Sequence, residues 1–186
     1  TSPGGTAAAG TQPAKPASER AIFAGGCFWG VEHFLEKTPG VVRVTSGYAG
    51  GKKAKPTYQD ICTGKTGHAE VVEVVFDPAR VSYEALAQRF FEIHDPTQVN
   101  RQGPDVGDQY RSAVFYLDEA QKKTAEKLIA RLKANGYAVA TTLEPAATFW
   151  PAEEHHQDYI RKHPTRHMCH MYVPRFDTTP PAKPKR

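Results

Sequence analysis

The chain has 186 residues, enough for one domain with a sizeable core, and its 39% hydrophobic and 24% charged residues are ordinary for a globular protein. The formal net charge is +4, but acidic and basic residues are interspersed and much of the excess lies in the C-terminal AKPKR and scattered lysines, so we expect no nucleic-acid groove. No apolar run approaches the roughly 20 residues of a membrane span, so we expect no transmembrane helix. We expect a monomer.

The two ends of the chain have a composition unlike the rest. Residues 1–19 are mostly Ala, Gly, Pro, Thr and Ser, which indicates a disordered leader or tether. Such a stretch often follows a removed export signal, so an exported or periplasmic location is slightly favoured, although a cytosolic extension or a cloning remnant fits as well. Residues 177–186 predict a loose Pro- and Lys-rich tail, and residues 20–176 a single domain without an internal repeat.

The first half of this domain predicts three strands and two helices. The strands are expected at residues 21–26, 41–48 and 69–76. A helix is expected to start at or near Cys27 and to run to about Lys37, where Pro39 and Gly40 stop it. A second helix is expected after Ser82, and a glycine-rich loop is expected to continue from the second strand through residue 56.

The second half predicts two further strands and two helices. The strands are expected at residues 112–117 and 137–143, one helix from its cap Asp118 to its stop Gly136, and a final helix at 152–163. Because no helix is predicted between residues 48 and 69, the pattern indicates an α+β fold. We expect a ferredoxin-like, two-layer arrangement with a mixed or antiparallel sheet, packed helices and long loops.

Three cysteines, Cys27, Cys62 and Cys169, are too few and too widely spaced for a disulfide scaffold. Their odd number leaves at least one of them unpaired within the chain. This pattern is typical of catalytic or redox thiols as well as of cysteines in a core, and it does not fix the compartment.

Cys27 lies where a predicted strand turns into a predicted helix. The unpaired N–H groups and the dipole at a helix N-terminus favour an anion, so the thiol pKa is predicted to fall and to leave a nucleophilic thiolate. Gly25 and Gly26 are expected to leave the approach to the sulfur uncrowded. A small buried hydrophobic residue is the alternative, and the strand–Gly-Gly–helix setting disfavours it.

Phe28 and Trp29 follow directly. By residue type they would be core aromatics, but adjacent residues at a helix start point in different directions and cannot easily bury on one face. An exposed indole edge beside a thiolate would line an apolar pocket for a small group such as a methyl. On the residues alone, both interpretations stay open.

Glu70 is the candidate acid. By strand periodicity it shares a face with Val72 and Val74, so its carboxyl would be partly desolvated and its pKa raised, as a general acid near neutral pH requires. A solvated or ion-paired carboxylate at the strand end is the alternative. Glu73, on the opposite face, is an equal candidate for the acid by residue type, and His68 is a further possible partner.

Loop residues form a third candidate group. Tyr58 and Tyr110 each offer a hydroxyl in a predicted loop, and Asp105 and Arg111 flank the second of them. Separately these signals are weak.

Histidines near the C-terminus raise the question of a metal site. Structural zinc sites need four converging ligands, and adjacent helical residues diverge by about 100°, so two neighbouring histidines cannot easily chelate one ion. Metal binding is therefore disfavoured. The residues concerned are His155, His156, His167, Cys169 and His170.

The chain resembles the A-type peptide methionine sulfoxide reductases in four ordered segments: GGCFWGVE, PTYQDICTGKTGHAEVVEVVFDP, QGPDVGDQYRSAVFY and AEEHHQDYI. GCFWG alone would be only suggestive, whereas four segments with compatible spacing over about residues 21–163 make the resemblance specific. Enzymes of this kind reverse the oxidation of methionine, one enzyme type for each sulfoxide epimer. The resemblance thus implies a thiol-dependent reductase of methionine S-sulfoxide, free or in proteins, that repairs oxidised proteins.

The resemblance also implies a role for each matched residue. Cys27 would attack the sulfoxide sulfur, and Glu70 would protonate the sulfoxide oxygen. Phe28 and Trp29 would hold the substrate's methyl group. Three polar side chains would complete the site, Tyr58 and Tyr110 by hydrogen bonds to the oxygen and Asp105 as a neighbouring polar group.

Regeneration is where the chain departs from the common pattern. The family cycle leaves a sulfenic acid on Cys27, which a second thiol converts to a disulfide that a thioredoxin-type dithiol reduces, without metal or organic cofactor. Many members carry resolving cysteines in a glycine-rich tail, but Cys169 has no glycine nearby. We predict Cys169 as the resolving thiol because Pro164 ends the last helix; Cys62, or no intramolecular partner, is the alternative.

Two other functions fit parts of the sequence. A low-pKa thiolate also reacts with hydroperoxides, which would make the protein a thiol peroxidase. Cys169 with the nearby histidines could form a metal-binding or redox-sensing module. Relative activity on peroxides and sulfoxides tests the first alternative, and the metal content of the purified protein tests the second.

Overall fold

A computed structural model describes residues 17–176, which contain eight strands and five α-helices. The strands are β1 Glu19–Gly25, β2 Val41–Ala49, β3 Ala69–Phe76, β4 Arg101–Gln102, β5 Asp105–Val106, β6 Ser112–Tyr116, β7 Thr142–Pro145 and β8 Trp150–Pro151. The helices are α1 Phe28–Glu36, α2 Tyr58–Cys62, α3 Tyr83–Ile93, α4 Glu119–Ala134 and α5 Tyr159–Lys162. Two short 3-10 turns cover Asp108–Tyr110 and Glu154–His156.

The predicted division into leader, domain and tail stays a prediction. Residues 1–16 of the expected leader and the whole expected tail, 177–186, lie outside the described residues. Within residues 17–176, none of the helices combines the length and the apolar character needed to cross a bilayer.

Six strands form one sheet in the order β7-β6-β1-β3-β2-β8, while β4 and β5 pair separately. β1 pairs antiparallel with β3 and β6, β2 pairs antiparallel with β3 and β8, and β6 and β7 run parallel. This mixed sheet confirms the predicted α+β class. The five-residue helix α2 lies between β2 and β3, where no helix was predicted; Thr57 and Asp60 form a capping box at its start.

Alternating side chains of the central strands enter two cores on the two faces of the sheet. Val72 and Val74 of β3 pack in the larger core with residues of the long helices, such as Phe90 of α3 and Leu128 of α4. Val71 belongs to the smaller cluster on the opposite face. Because β3 lies inside the sheet and is covered on both faces, Glu70 at its start is carried into the interior.

Two helices begin where they were predicted, after Ser82 and after the cap Asp118. The side chain of Ser82 accepts a hydrogen bond from the backbone N–H of Ala85 at 3.0 Å, and that of Asp118 accepts one from Gln121 at 2.8 Å. Just beyond α4, Gly136 has a φ of +92°, a conformation that favours glycine and ends the helix.

The predicted helix over 152–163 is wrong. The segment contains the turn Glu154–His156 and the four-residue α5, separated by Asp158 with a φ of +53°. Long-range contacts explain the break, because the Asp158 N–H donates to the Glu32 carboxylate at 3.0 Å and the side chain of Gln157 bonds both backbone groups of Ser46 at 2.9 Å.

The strand predicted over 137–143 begins later than expected. β7 starts at Thr142, and the preceding residues are irregular. There the N–H of Ala140 donates to the carbonyl oxygen of Pro96 at 2.7 Å, which is outside any sheet ladder.

Candidate active site

Cys27 is the N-cap residue of α1, and one residue, Gly26, separates it from the end of β1. Its side chain is half-buried and makes no cap hydrogen bond, and the backbone N–H of Trp29 lowers the pKa of the thiol. The predicted placement of the thiol at a helix start is therefore present in the structure.

The glycines before Cys27 serve a different purpose from the one predicted. Both are buried, and a Cβ on Gly25 would lie 2.9 Å from a ring carbon of Phe90. Gly26 has a φ of +91°, and a Cβ there would lie 2.5 Å from the Cβ of Gln102. Close packing and a left-handed turn, and not open access to the sulfur, require glycine at these positions.

The predicted fall in the thiol pKa is also wrong. Burial raises the pKa of Cys27 well above its ordinary value, and the nearby Glu70 carboxylate raises it further. The backbone N–H of Trp29 lowers this pKa but is outweighed. The thiol therefore holds its proton at neutral pH.

Glu70 lies at the start of β3 and is only 2% exposed. Its carboxylate accepts a hydrogen bond from the backbone N–H of Phe28 at 3.0 Å. Burial raises the pKa of Glu70 to about 8, although this hydrogen bond lowers it, and Asp105 raises it. A carboxyl that keeps its proton at pH 7 can act as a general acid.

The start of α1 brings the carboxyl next to the thiol. The N–H of its first residue, Phe28, donates to Glu70 at 3.0 Å. This N–H has no partner inside the helix, so the helix start supplies the donor without loss of a helical hydrogen bond. Phe28 directly follows Cys27, and the Glu70 carboxylate raises the pKa of the thiol, so the two groups are neighbours.

The two alternative candidates close to Glu70 in sequence, Glu73 and His68, have other partners. Glu73 is on the opposite face of β3, as predicted from periodicity, and forms an ion pair with Arg20. His68 is buried, accepts the N–H of Gly51 at 3.0 Å and donates to the carbonyl oxygen of Lys53 at 2.8 Å. It therefore fixes the glycine-rich loop after β2.

Tyr58 and Tyr110 converge on Glu70 from different elements. Tyr58 is the first residue of α2, and Tyr110 ends a 3-10 turn. Burial, followed by the Glu70 carboxylate, raises the pKa of both hydroxyls. Both are therefore neutral hydrogen-bond donors next to the candidate acid.

Asp105 is half-buried on the hairpin strand β5. Burial raises its own pKa, while His170 lowers it. Its charge raises the pKa of Cys27, Glu70 and Tyr110, which places it within electrostatic range of all three groups. The residues predicted for the oxygen site are thus brought together.

Phe28 and Trp29 are buried to different extents, and both rings contact His156. Phe28 is 1% exposed and packs at 5.8 Å between ring centroids against Tyr48. Trp29 is half-buried, and its indole stacks on Tyr159 at 3.7 Å with an interplanar angle of 10°. An apolar wall with a buried and a half-buried part therefore adjoins the thiol.

Comparison with known proteins decides the family. A family model described as peptide methionine sulfoxide reductase matches residues 19–182. The chain belongs to this family. It is 53% identical, over 154 residues, to the peptide methionine sulfoxide reductase MsrA of Nautilia profundicola, covering 83% of this chain and 88% of that protein.

Solved structures of the family have the same fold. Mxr1 from Saccharomyces cerevisiae in reduced form is 38% identical with a TM-score of 0.77, covering 85% of this chain and 91% of that one. Mxr1 in complex with Trx2 is 30% identical with a TM-score of 0.55, covering 82% and 90% of the two chains. These relatives confirm the resemblance inferred from the four sequence segments.

Several residues of the reductase site were not predicted from sequence. The Glu153 carboxylate accepts the Tyr48 hydroxyl and the Tyr58 backbone N–H, both at 2.8 Å, and so ties α2 to β2. His156 and Tyr159 contact the Trp29 indole. All three come from the segment that was predicted as one helix, and its AEEHHQDYI motif was the only signal for them.

The two remaining cysteines differ in their surroundings. Cys169 is exposed and lies close enough to Cys27 to raise its pKa. The next residue, His170, is buried, donates to the carbonyl oxygen of Gly25 at 2.7 Å and so anchors the segment beside the end of β1. Cys62 is exposed at the end of α2 and lies close enough to Tyr58 to raise the pKa of its hydroxyl.

The histidines considered for a metal site do not form one within residues 17–176. No group of three or more His, Cys, Asp or Glu side chains in this range is arranged to hold an ion. His155 and His156 do not diverge as helical neighbours would, since they lie in a 3-10 turn with ring centroids 4.1 Å apart. His156 instead accepts the indole N–H of Trp29.

Proposed function

We propose that this protein reduces methionine S-sulfoxide, free or in proteins, to methionine, with Cys27 as nucleophile and Glu70 as acid. One observation carries the assignment of these roles: the N–H of Phe28, the residue after Cys27, holds the Glu70 carboxyl at 3.0 Å, close enough for its charge to raise the pKa of the thiol. A nucleophilic sulfur and a protonated carboxyl side by side are what sulfoxide reduction needs, because the oxygen is a poor leaving group until it is protonated.

The reductase step begins with both protons in place. Burial raises the pKa of Glu70 to about 8 and raises that of Cys27 above its usual range. Glu70 transfers its proton to the sulfoxide oxygen, to which the hydroxyls of Tyr58 and Tyr110 donate hydrogen bonds. Positive charge then develops on the substrate sulfur and favours ionisation of the adjacent Cys27 thiol. The Cys27 sulfur bonds to the substrate sulfur as the S–O bond breaks, and the oxygen leaves as water with the protons of Glu70 and Cys27. Water then attacks the Cys27 sulfur, the S–S bond breaks, methionine leaves, and the released proton returns to Glu70.

The step balances without any other reagent. A thiol and a sulfoxide become a sulfenic acid and a thioether, because the water that leaves is matched by the water that attacks Cys27. The two electrons gained by the substrate sulfur come from the Cys27 sulfur. The half-buried indole of Trp29 and the buried ring of Phe28 form the wall against which the substrate's methyl group packs.

Regeneration uses a second thiol and an external dithiol. The Cys169 thiol attacks the Cys27 sulfenic acid, a disulfide forms, and water leaves. The closeness of Cys169 to Cys27 supports this role. A thioredoxin-type dithiol then reduces the disulfide by exchange, which fits the complex of the related Mxr1 with Trx2.

An assay on separated sulfoxide epimers, with a dithiol reductant, tests the proposal. The wild-type protein should produce methionine from the S epimer and much less from the R epimer, and Cys27→Ser should abolish turnover while circular dichroism shows an intact fold. Full activity of Cys27→Ser, or peroxide reduction faster than sulfoxide reduction, would refute the proposal.

A further inference from the structure

His156 lies among the aromatic residues of the site although it is not one of the reacting groups. It is 3% exposed. Its ring centroid is 5.3 Å from that of Phe28 and 4.6 Å from that of Tyr58. A histidine in this position borders both the proposed methyl wall and the proposed oxygen site.

One hydrogen bond connects His156 to the wall. The indole Nε1–H of Trp29 donates to His156 Nδ1 at 3.1 Å. Since Nδ1 accepts, the ring is the neutral tautomer that carries its proton on Nε2. Tyr159 covers one face of the same indole at 3.7 Å, so the stacking fixes the plane of the ring and the hydrogen bond fixes its rotation within that plane.

The second ring nitrogen argues against a purely structural role. His156 Nε2 is buried, and the described part of the chain offers it no hydrogen-bond partner. An unpaired buried donor destabilises the fold, and an apolar ring of similar size would avoid this cost. The stability lost at Nε2 indicates that the acceptor at Nδ1 is needed.

We propose that His156 is a positioning residue for Trp29. By accepting the indole N–H it holds the indole in the orientation against which the substrate's methyl group packs. The inference rests on the proposed function, because it requires Trp29 to line the methyl site. It assigns His156 to substrate affinity and not to the chemical step.

Three variants test it in a single turnover without reductant, with methionine release measured over a range of S-sulfoxide concentrations. His156→Leu should weaken apparent substrate affinity roughly 3- to 10-fold, the usual effect of one lost hydrogen bond, and leave the limiting rate within about twofold. His156→Asn, whose amide oxygen can take the place of Nδ1, should have an apparent substrate affinity nearer to that of wild type. His155→Leu, which removes the exposed neighbouring ring, should have the wild-type affinity.

A double-variant cycle asks whether His156 acts through Trp29. In a Trp29→Phe background, which lacks the indole donor, His156→Leu should cause no further loss of affinity. An equal loss in both backgrounds would overturn the inference, as would unchanged affinity or equal effects of the Leu and Asn variants. Thermal unfolding of every variant identifies any that fail to fold. If His156→Leu does not fold, His156→Phe, an apolar ring of similar size that lacks the acceptor, takes its place in both measurements.

Indole fluorescence provides a readout that needs no turnover. The chain has two tryptophans, so Trp150→Phe leaves Trp29 as the only emitter. In that background His156→Leu should shift the emission maximum, and His155→Leu should not. An unchanged spectrum would refute the contact between His156 and the Trp29 indole. Lack of sulfoxide reduction by the wild type would instead refute the proposed function, and the spectral result would still stand.

Discussion

Replacing Glu70 by glutamine is expected to stop the reductase step and to make the folded protein more stable. Burial raises the pKa of Glu70 from 4.5 to about 8, so at pH 7 the folded state holds a proton that the unfolded state releases. Holding that proton costs free energy, and glutamine avoids the cost because its amide is neutral in both states. The amide oxygen can still accept the N–H of Phe28, which now binds the carboxylate at 3.0 Å.

The size of the effect follows from the pKa. One pH unit of difference is worth about 1.36 kcal/mol, and pH 7 lies about 2.5 units above the ordinary pKa of glutamate, so keeping the proton costs about 3 kcal/mol. Between about pH 4.5 and 8 the folded state binds more protons than the unfolded state, so the contribution of Glu70 to stability falls as pH rises. The advantage of Glu70→Gln should therefore grow from near zero at pH 4 to about 3 kcal/mol at pH 7, roughly 6–12 °C in Tm.

Thermal unfolding followed by circular dichroism at pH 4, 5.5 and 7 measures this change, and methionine release in a single turnover measures the chemistry. Loss of the acid should slow the reductase step about 10²- to 10⁴-fold. Glu73→Gln is the matched control, since Glu73 lies on the same strand but is paired with Arg20 on the opposite face. It should keep the wild-type rate and lose at most about 1 kcal/mol.

Two results would refute the reasoning. A lower Tm for Glu70→Gln than for wild type at pH 7, or a gain of equal size at pH 4 and pH 7, would show that the carboxyl is not held in its neutral form. A large rate loss in Glu73→Gln, with Glu70→Gln active, would assign the acid to the other face of β3.

The remaining predictions concern the resolving thiol and the tyrosines. After one turnover without reductant, mass spectrometry should find a Cys27–Cys169 disulfide in wild type and in Cys62→Ser, and a trapped sulfenic acid in Cys169→Ser; a bond to Cys62 would contradict the assignment. Tyr58→Phe and Tyr110→Phe should each slow the reductase step about tenfold, the usual effect of one hydrogen bond to a group that gains charge. Unchanged single-turnover rates in both would show that neither hydroxyl contacts the oxygen.

Sequence reasoning located those parts of the fold whose local pattern agrees with their surroundings. β3 covers Ala69–Phe76 as predicted, and α4 begins after its cap Asp118 because capping is a contact between residues three apart. The same reasoning failed over 152–163. There the deciding contacts join Gln157 to Ser46, 111 residues away, and no local pattern reveals them.

The candidate site divides in the same way. The start of α1 could be predicted, and with it the placement of Cys27 beside helix N–H groups. Its pKa could not, because burial depends on how β3 and the hairpin pack over the helix start, and burial outweighs the N–H of Trp29. The sequence indicated no role for His156 other than a disfavoured metal site, because its partner Trp29 lies 127 residues away.

Burial of the acid and activation of the thiol make opposite demands on this site. The apolar surroundings that keep Glu70 protonated also keep the proton on Cys27, and a thiol is a poor nucleophile until it ionises. A substrate that accepts a proton on oxygen and gains positive charge on sulfur meets both demands, because that charge stabilises the thiolate next to it. A hydroperoxide brings no such charge to the position of attack. The raised pKa values therefore favour a sulfoxide over a peroxide, although a reactive cysteine alone would suit either.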